Sequence, residues 1–163
     1  MTYADQTTRV IPCLWFDDQG EDAADFYVSL LPNSRIDHIT RAPDDYPGGK
    51  AGQALEIQFT LAGQPYSALN GGPYFTFTEA ISIQVICDDQ DELDRLYAAL
   101  SVVPEAEQCG WLKDKYGLSW QLIPRDMPAM LSDPDPARAR RVFHAMMDMK
   151  RLDIAALEAA YAG

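Results

Sequence analysis

The chain has 163 residues, 47% hydrophobic and 23% charged, which is enough for a packed core and unlike a disordered segment. Thirteen Lys and Arg against 25 Asp and Glu leave a net charge of −12, a field that repels nucleic-acid phosphates and anionic membranes. Three cysteines (Cys13, Cys87, Cys109) cannot all pair, and with the two histidines (His38, His144) they show neither a CxxC nor zinc-ligand spacing.

Residues 8–16 (TRVIPCLWF) read as a mostly buried strand, with Pro12 marking an edge or bulge. An acidic turn leads into a helix over 21–31, where Ala23, Phe26, Tyr27 and Leu30 share a face. A short strand follows over 35–41, then a Pro/Gly-rich loop over 42–52 that is the expected mobile segment. Residues 54–61 alternate at period two, and 66–70 supply the hairpin partner before Gly71-Gly72-Pro73 breaks it. A second cycle runs through a strand over 80–87, a helix over 91–100, a connector over 102–108 and strands over 109–113 and 118–123. The tail is helical, with starts at Ser132–Pro136, continuing to about Lys150, and at Asp153, continuing to Tyr161.

Shifted by 70 residues, the first cycle lies on the second: Asp18 meets Asp88, Tyr27 meets Tyr97, and Leu30 meets Leu100. Gly63 and Gly117 also match in role, each preceding a final strand. The chain therefore reads as α+β, two tandem βαβββ modules over about 7–72 and 79–124 with a helical tail over about 127–161, all in one domain spanning 1–163.

Alternation assigns faces in the second cycle. Ile81, Ile83, Val85 and Cys87 form an apolar face suited to lie under a helix, leaving Ser82, Gln84 and Ile86 on the other. The repeat then places Pro12, Leu14 and Phe16 on the corresponding face of the first cycle, with Cys13 and Trp15 under its helix. Trp120 reads as core, whereas Trp111, next to a turn, is positioned to rim a pocket. His38 reads as a surface or edge residue and His144 as solvent-facing, and neither gives Cys109 a nearby base in sequence.

The blocks IPCLWFDDQGEDAADFY, ALNGGPYF, EAISIQVICDDQDELDRLYAAL, CGWLKDKYGLSWQLIP and DPDPARARRVFHAMMDMKRLDIAALE resemble the PhnB-like family, also called 3-demethylubiquinone 3-methyltransferase-like, of the vicinal oxygen chelate superfamily. That superfamily includes glyoxalase I, bleomycin-resistance proteins and extradiol dioxygenases. The resemblance implies paired βαβββ modules, a homodimer, and a site in the concave sheet. It also implies four inward-facing metal ligands, one on the first and one on the last strand of each module. Counted onto this chain, those positions fall on Pro12, Ser67, Ser82 and Gln121. They lack the imidazoles and carboxylates a transition metal requires. The implied site is thus a metal-free cavity lined by Pro12, Leu14, Ser67, Leu69, Ser82, Gln84, Trp111 and Gln121. Gln84 and Gln121 either bond to each other or to water, or contact a ligand. No glycine-rich turn of the kind that cradles an adenosyl cofactor follows a strand.

Three functions remain open: binding of a small organic molecule without metal or other cofactor, divalent-metal isomerase or dioxygenase chemistry, and an interaction module with a vestigial cavity. A soluble cytoplasmic homodimer with the tail helices at its interface is expected, with no nucleic-acid or membrane partner. The opening MTYADQTTRV has no signal-peptide pattern, and no apolar run approaches the roughly 18 residues of a membrane span.

Overall fold

A computed structural model describes residues 9–163, which divide into two compact units meeting in sequence at Thr76 and Phe77. The predicted strand start at Thr8 and module start at residue 7 lie outside the described residues.

The first unit holds β1 (Cys13–Phe16), α1 (Gly20–Leu30), β2 (Arg35–Arg41), β3 (Ala54–Leu61) and β4 (Gln64–Asn70). Its four-stranded sheet has the order β1-β4-β3-β2, with β1 parallel to β4 and the other pairs antiparallel. Helix α1 buries Gly20, Ala23, Ala24 and Tyr27, one stripe at helical spacing. Tyr27 meets Phe59 of β3 at 6.5 Å between ring centroids, and Phe59 stacks on Tyr66 of β4. No local side chain caps α1. Instead, Asn70 of β4 accepts the Gly20 N–H at 2.7 Å and donates to the Ala54 carbonyl at 2.9 Å. The Asn of the NGGP block is therefore a tertiary helix cap as well as part of a chain break. The 42–52 loop is closed by its own hydrogen bonds, with Ala42 and Gln53 paired and the Asp45 carboxylate accepting from Lys50 and from the Ala51 N–H.

The second unit holds β5 (Ser82–Cys87), α2 (Gln90–Leu100), β6 (Trp111–Lys113), β7 (Ser119–Pro124) and the tail helices α3 (Met127–Leu131), α4 (Pro136–Met147) and α5 (Ile154–Ala162). Its sheet has three strands in the order β5-β7-β6, with β5 parallel to β7. Shifted by 70 residues, α1 coincides with α2 at both ends, and in each unit the strand before the helix pairs in parallel with the last strand. The chain is thus a duplicated α+β fold with a helical C-terminus. The second module differs in one place. Where the first has β2, the connector carries a 3-10 turn at Pro104–Ala106, because proline and the surrounding acids favour a turn over a ladder.

Two boundaries differ from the sequence reading for backbone reasons. Among the described residues β1 begins only at Cys13, since Pro12 has no N–H to donate; its carbonyl accepts from Ser67 at 2.9 Å. Strand β6 begins at Trp111 rather than residue 109, because Cys109 (φ +52) and Gly110 (φ +85) are left-handed. Their N–H groups donate instead to the Met149 and Lys150 carbonyls, fastening the tail to the sheet at 2.8 Å each. Among the described residues no helix is long and apolar enough to cross a membrane.

Candidate functional site

Each sheet has one face against its helix and one free of it. In the first unit the helix side is marked by Ala68, since a Cβ on Gly20 of α1 would lie 3.4 Å from the Ala68 side chain. Leu14 and Phe16 pair with Ala68 and Asn70 and are each 3% exposed, so they share this covered side. This corrects the predicted facing of Leu14 and Phe16. The helix-free face instead carries Cys13 and Trp15 on β1, opposite Ser67 and Leu69 on β4, which in turn sit opposite Gln58 and Glu56 on β3. Pro12 lies outside the strand and is exposed, so Cys13 takes the place predicted for it. The reversal has a local cause. A proline at the mouth of a strand breaks the alternation that the 70-residue mapping carried across from β5.

Three buried polar side chains concentrate on this face. Thr60 donates to Asp37 at 2.6 Å, and the same carboxylate holds Arg35 at 2.7 Å. Ser67 is 3% exposed. Gln58 is 5% exposed; its Nε2 reaches toward the Glu56 carboxylate at 3.5 Å, while its Oε1 is buried with no hydrogen-bond partner. Sequence reasoning passed over Gln58, although the period-two pattern of Ala54–Leu61 already set Glu56, Gln58 and Thr60 on one face. It had no signal for Asp37, which joins that face through a register shift between Ile36 and His38.

At the rim, Trp15 donates its indole N–H to the Gly72 carbonyl at 2.9 Å and meets Phe75 edge-on at 5.0 Å. Any Cβ on Gly71 would sit 2.2 Å from the Trp15 ring, so the glycine is required for this aromatic to seat.

In the second unit the predicted faces hold within β5, but Ile81, predicted to lie under the helix, falls before the strand and is 55% exposed. Val85 and Cys87 are buried toward the helix with Trp120 and Leu122 of β7, while Ser82, Gln84 and Ile86 lie on the other face. There the side chains form a chain of hydrogen bonds: Gln84 Nε2 donates to Gln121 Oε1 at 3.1 Å, and Gln121 Nε2 donates to Ser82 Oγ at 2.7 Å. Trp111 stands directly opposite Gln121 across the β6–β7 pair. Of the eight predicted pocket residues, Ser67 and Leu69 share the helix-free face of the first sheet, and Ser82, Gln84, Trp111 and Gln121 lie together on that of the second.

The thiols differ in chemistry. Burial, with the Glu92 charge adding to it, pushes the Cys87 thiol from 9.0 up to about 12, whereas Cys13 is exposed. Iodoacetamide near pH ~8 should therefore label Cys13 and spare Cys87 in the native protein. Peptide mapping that finds the two labelled at similar rates contradicts this. Because the raised value favours the protonated thiol in the native state, its contribution to stability is full below pH 9.0 and declines as pH rises toward about 12.

A sequence model of the family described as 3-demethylubiquinone-9 3-methyltransferase matches residues 8–123. The PhnB protein of Bacillus cereus is 34% identical, with a TM-score of 0.62 over 72% of this chain and 99% of that one. The chain belongs to this PhnB-like family. A protein of Pseudomonas aeruginosa shares the fold at a TM-score of 0.57 and 18% identity, over 72% of this chain and 98% of that one. Comparison with curated proteins finds no match.

The PhnB-like family is part of the vicinal oxygen chelate superfamily, and the residues here do not fit that superfamily's metal. Four residues after the turn glycines Gly63 and Gly117 stand Ser67 and Gln121, and their partners on the adjacent first strands are Cys13 and Gln84. One thiol, one hydroxyl and two amides offer neither an imidazole nor a carboxylate. Among the described residues no group of three His, Cys, Asp or Glu side chains is placed to hold a metal ion. A methyl donor of the adenosyl type fits no better, because the two strand-to-helix turns carry Asp17-Asp18 and Asp88-Asp89 where such loops carry glycines.

Proposed function

We propose that this PhnB-like chain binds a small organic molecule on the helix-free face of its first sheet, without a metal. The observation that carries the reading is the Gln58 carbonyl oxygen, buried with no partner on a face otherwise furnished with satisfied polar groups. Such an oxygen costs about 1–3 kcal/mol, a cost removed by a ligand that brings an N–H or O–H donor. The second sheet, taken by itself, carries the Ser82–Gln121–Gln84 chain of hydrogen bonds beside Trp111.

Thermal shift against a library of small alcohols, amines and amides tests this, since a ligand that binds only the native state raises Tm. Gln58→Leu should leave the free protein as stable or slightly more stable and abolish the ligand-induced shift. Chelator should change neither Tm nor the shift. About one equivalent of tightly held metal per chain by elemental analysis would instead favour a metal-dependent enzyme. A library with no hits, together with a Gln58→Leu protein that loses stability, would remove the binding reading.

A second reading concerns assembly. Phe143 and Met147, one turn apart on α4, are 47% and 44% exposed, an apolar stripe on the tail that a second copy would cover. We propose a two-fold homodimer through this face. Light scattering at micromolar concentration should give twice the chain mass, and Phe143→Glu should return it to one.

A further inference from the structure

Away from the sheet faces, the tail folds back on the end of β7 and the start of α2 and forms a cleft of about 440 Å³ that is open to solvent on one side. This lies within the range of small-molecule sites, roughly 300–1,000 Å³. Much of its wall comes from Asp126 to Glu158, beyond residues 8–123 matched by the family. Its floor is apolar: Met127 and Leu157 are 5% and 1% exposed, with Met130 and Ile154 beside them. Its mouth carries five carboxylates and a single guanidinium.

The charges at that mouth are not equivalent. Arg125 is committed to Asp88. Asp89 and Asp153 cap α2 and α5, accepting from the Glu92 and Ala156 N–H groups at 2.8 and 2.9 Å. Those caps occupy the helix N-termini, which would otherwise attract an anion. Asp126 and Glu158 remain: among the described residues neither carboxylate has a hydrogen bond or an ion pair, and no cation of the chain faces them from the cavity wall except the committed Arg125.

We infer that this cavity binds an organic cation with an apolar body, a primary amine on an aryl or alkyl group, whose hydrocarbon lies on Met127, Met130, Ile154 and Leu157 and whose ammonium lies between Asp126 and Glu158. Apolar burial supplies affinity and the two unpaired carboxylates supply the sign. A simple anion is rejected by the net negative mouth, and an inorganic cation gains nothing from the floor.

Methyl NMR of the full chain with phenethylamine, phenethyl alcohol and phenylacetate tests this. The amine should shift the Met127, Met130, Ile154 and Leu157 methyls, bind about tenfold more tightly than the alcohol, and weaken with added salt, while phenylacetate should leave them unmoved. The exposed pair Asp126→Asn/Glu158→Gln should bring the amine down to the affinity of the alcohol without unfolding the chain. Ala155→Trp, which fills the cavity, should abolish both, and Gln58→Leu should affect neither. Equal binding of amine and alcohol, retention of amine affinity in the double variant, or absence of shifts at those four methyls overturns the proposal.

Discussion

Asp114→Ala should destabilise the protein by about 3–5 kcal/mol, lowering Tm by roughly 10 °C in a chain of this size. Asp114 closes the turn between β6 and β7, is 1% exposed, and accepts three hydrogen bonds. Its Oδ1 takes the Tyr116 and Leu118 N–H groups at 2.8 and 3.1 Å, and its Oδ2 takes the Trp120 indole N–H at 2.8 Å. Removing the carboxylate strands a fully buried indole donor and unties the turn that sets the register of β7, the strand bearing Gln121. Asp114→Asn should cost less, about 2 kcal/mol, because one oxygen remains while an NH₂ now faces the indole N–H. Trp120→Phe should destabilise as well, and the double variant Asp114→Ala/Trp120→Phe should fall short of the sum by at least about 1 kcal/mol, the signature of a shared bond. Denaturant melts of the four proteins decide it. A loss under about 1 kcal/mol for Asp114→Ala, or strict additivity, would show that the buried carboxylate does not organise the hairpin.

Gly110→Ala should cost about 2–4 kcal/mol and loosen the tail. Gly110 sits at φ +85, and a Cβ there would lie 2.8 Å from the Leu122 carbonyl oxygen and 2.9 Å from the Leu152 side chain. The left-handed backbone alone costs a non-glycine residue roughly 1–2 kcal/mol. The contact with a backbone oxygen adds to this because backbone cannot turn aside. Gly63→Ala is the control: its φ is +84, yet nothing lies within 4 Å of the added carbon, so only the conformational cost should appear. Hydrogen exchange should quicken at the Cys109 and Gly110 amides in Gly110→Ala, since these donate to Met149 and Lys150. The amine-induced shifts at Ile154 and Leu157 should weaken with it, because the same turn positions α5. Equal stability losses in the two glycine variants would mean that the close approach is relieved by movement and does not hold the tail.

How far the chain could be read from its residues depended on whether the cause was local. The 70-residue repeat was visible because both helices carry their apolar stripe and acidic first turn in the same phase, and the structure returns α1 and α2 in register to the residue. The faces of β5 were legible for the same reason: an unbroken run with period two leaves one assignment, and Gln84 with Gln121 lie together where alternation puts them. The facing of β1 was not, because Pro12 interrupts its ladder and carries Leu14 to the helix side and Cys13 to the other. Asn70 capping a helix 50 residues earlier, Asp37 brought in by a bulge, and a buried Gln58 oxygen without a donor all depend on what the rest of the fold places beside them. The tail makes the same point. Its helices could be foreseen from Pro134, Pro136 and the Asp153 cap, but the cavity they line, and the tie from the left-handed residues 109 and 110 to the Met149 and Lys150 carbonyls, join segments far apart in the chain. Periodicity and capping act within a few residues and are written in the sequence, whereas an unpaired oxygen or a cleft between elements belongs to no segment and arises only when distant ones pack.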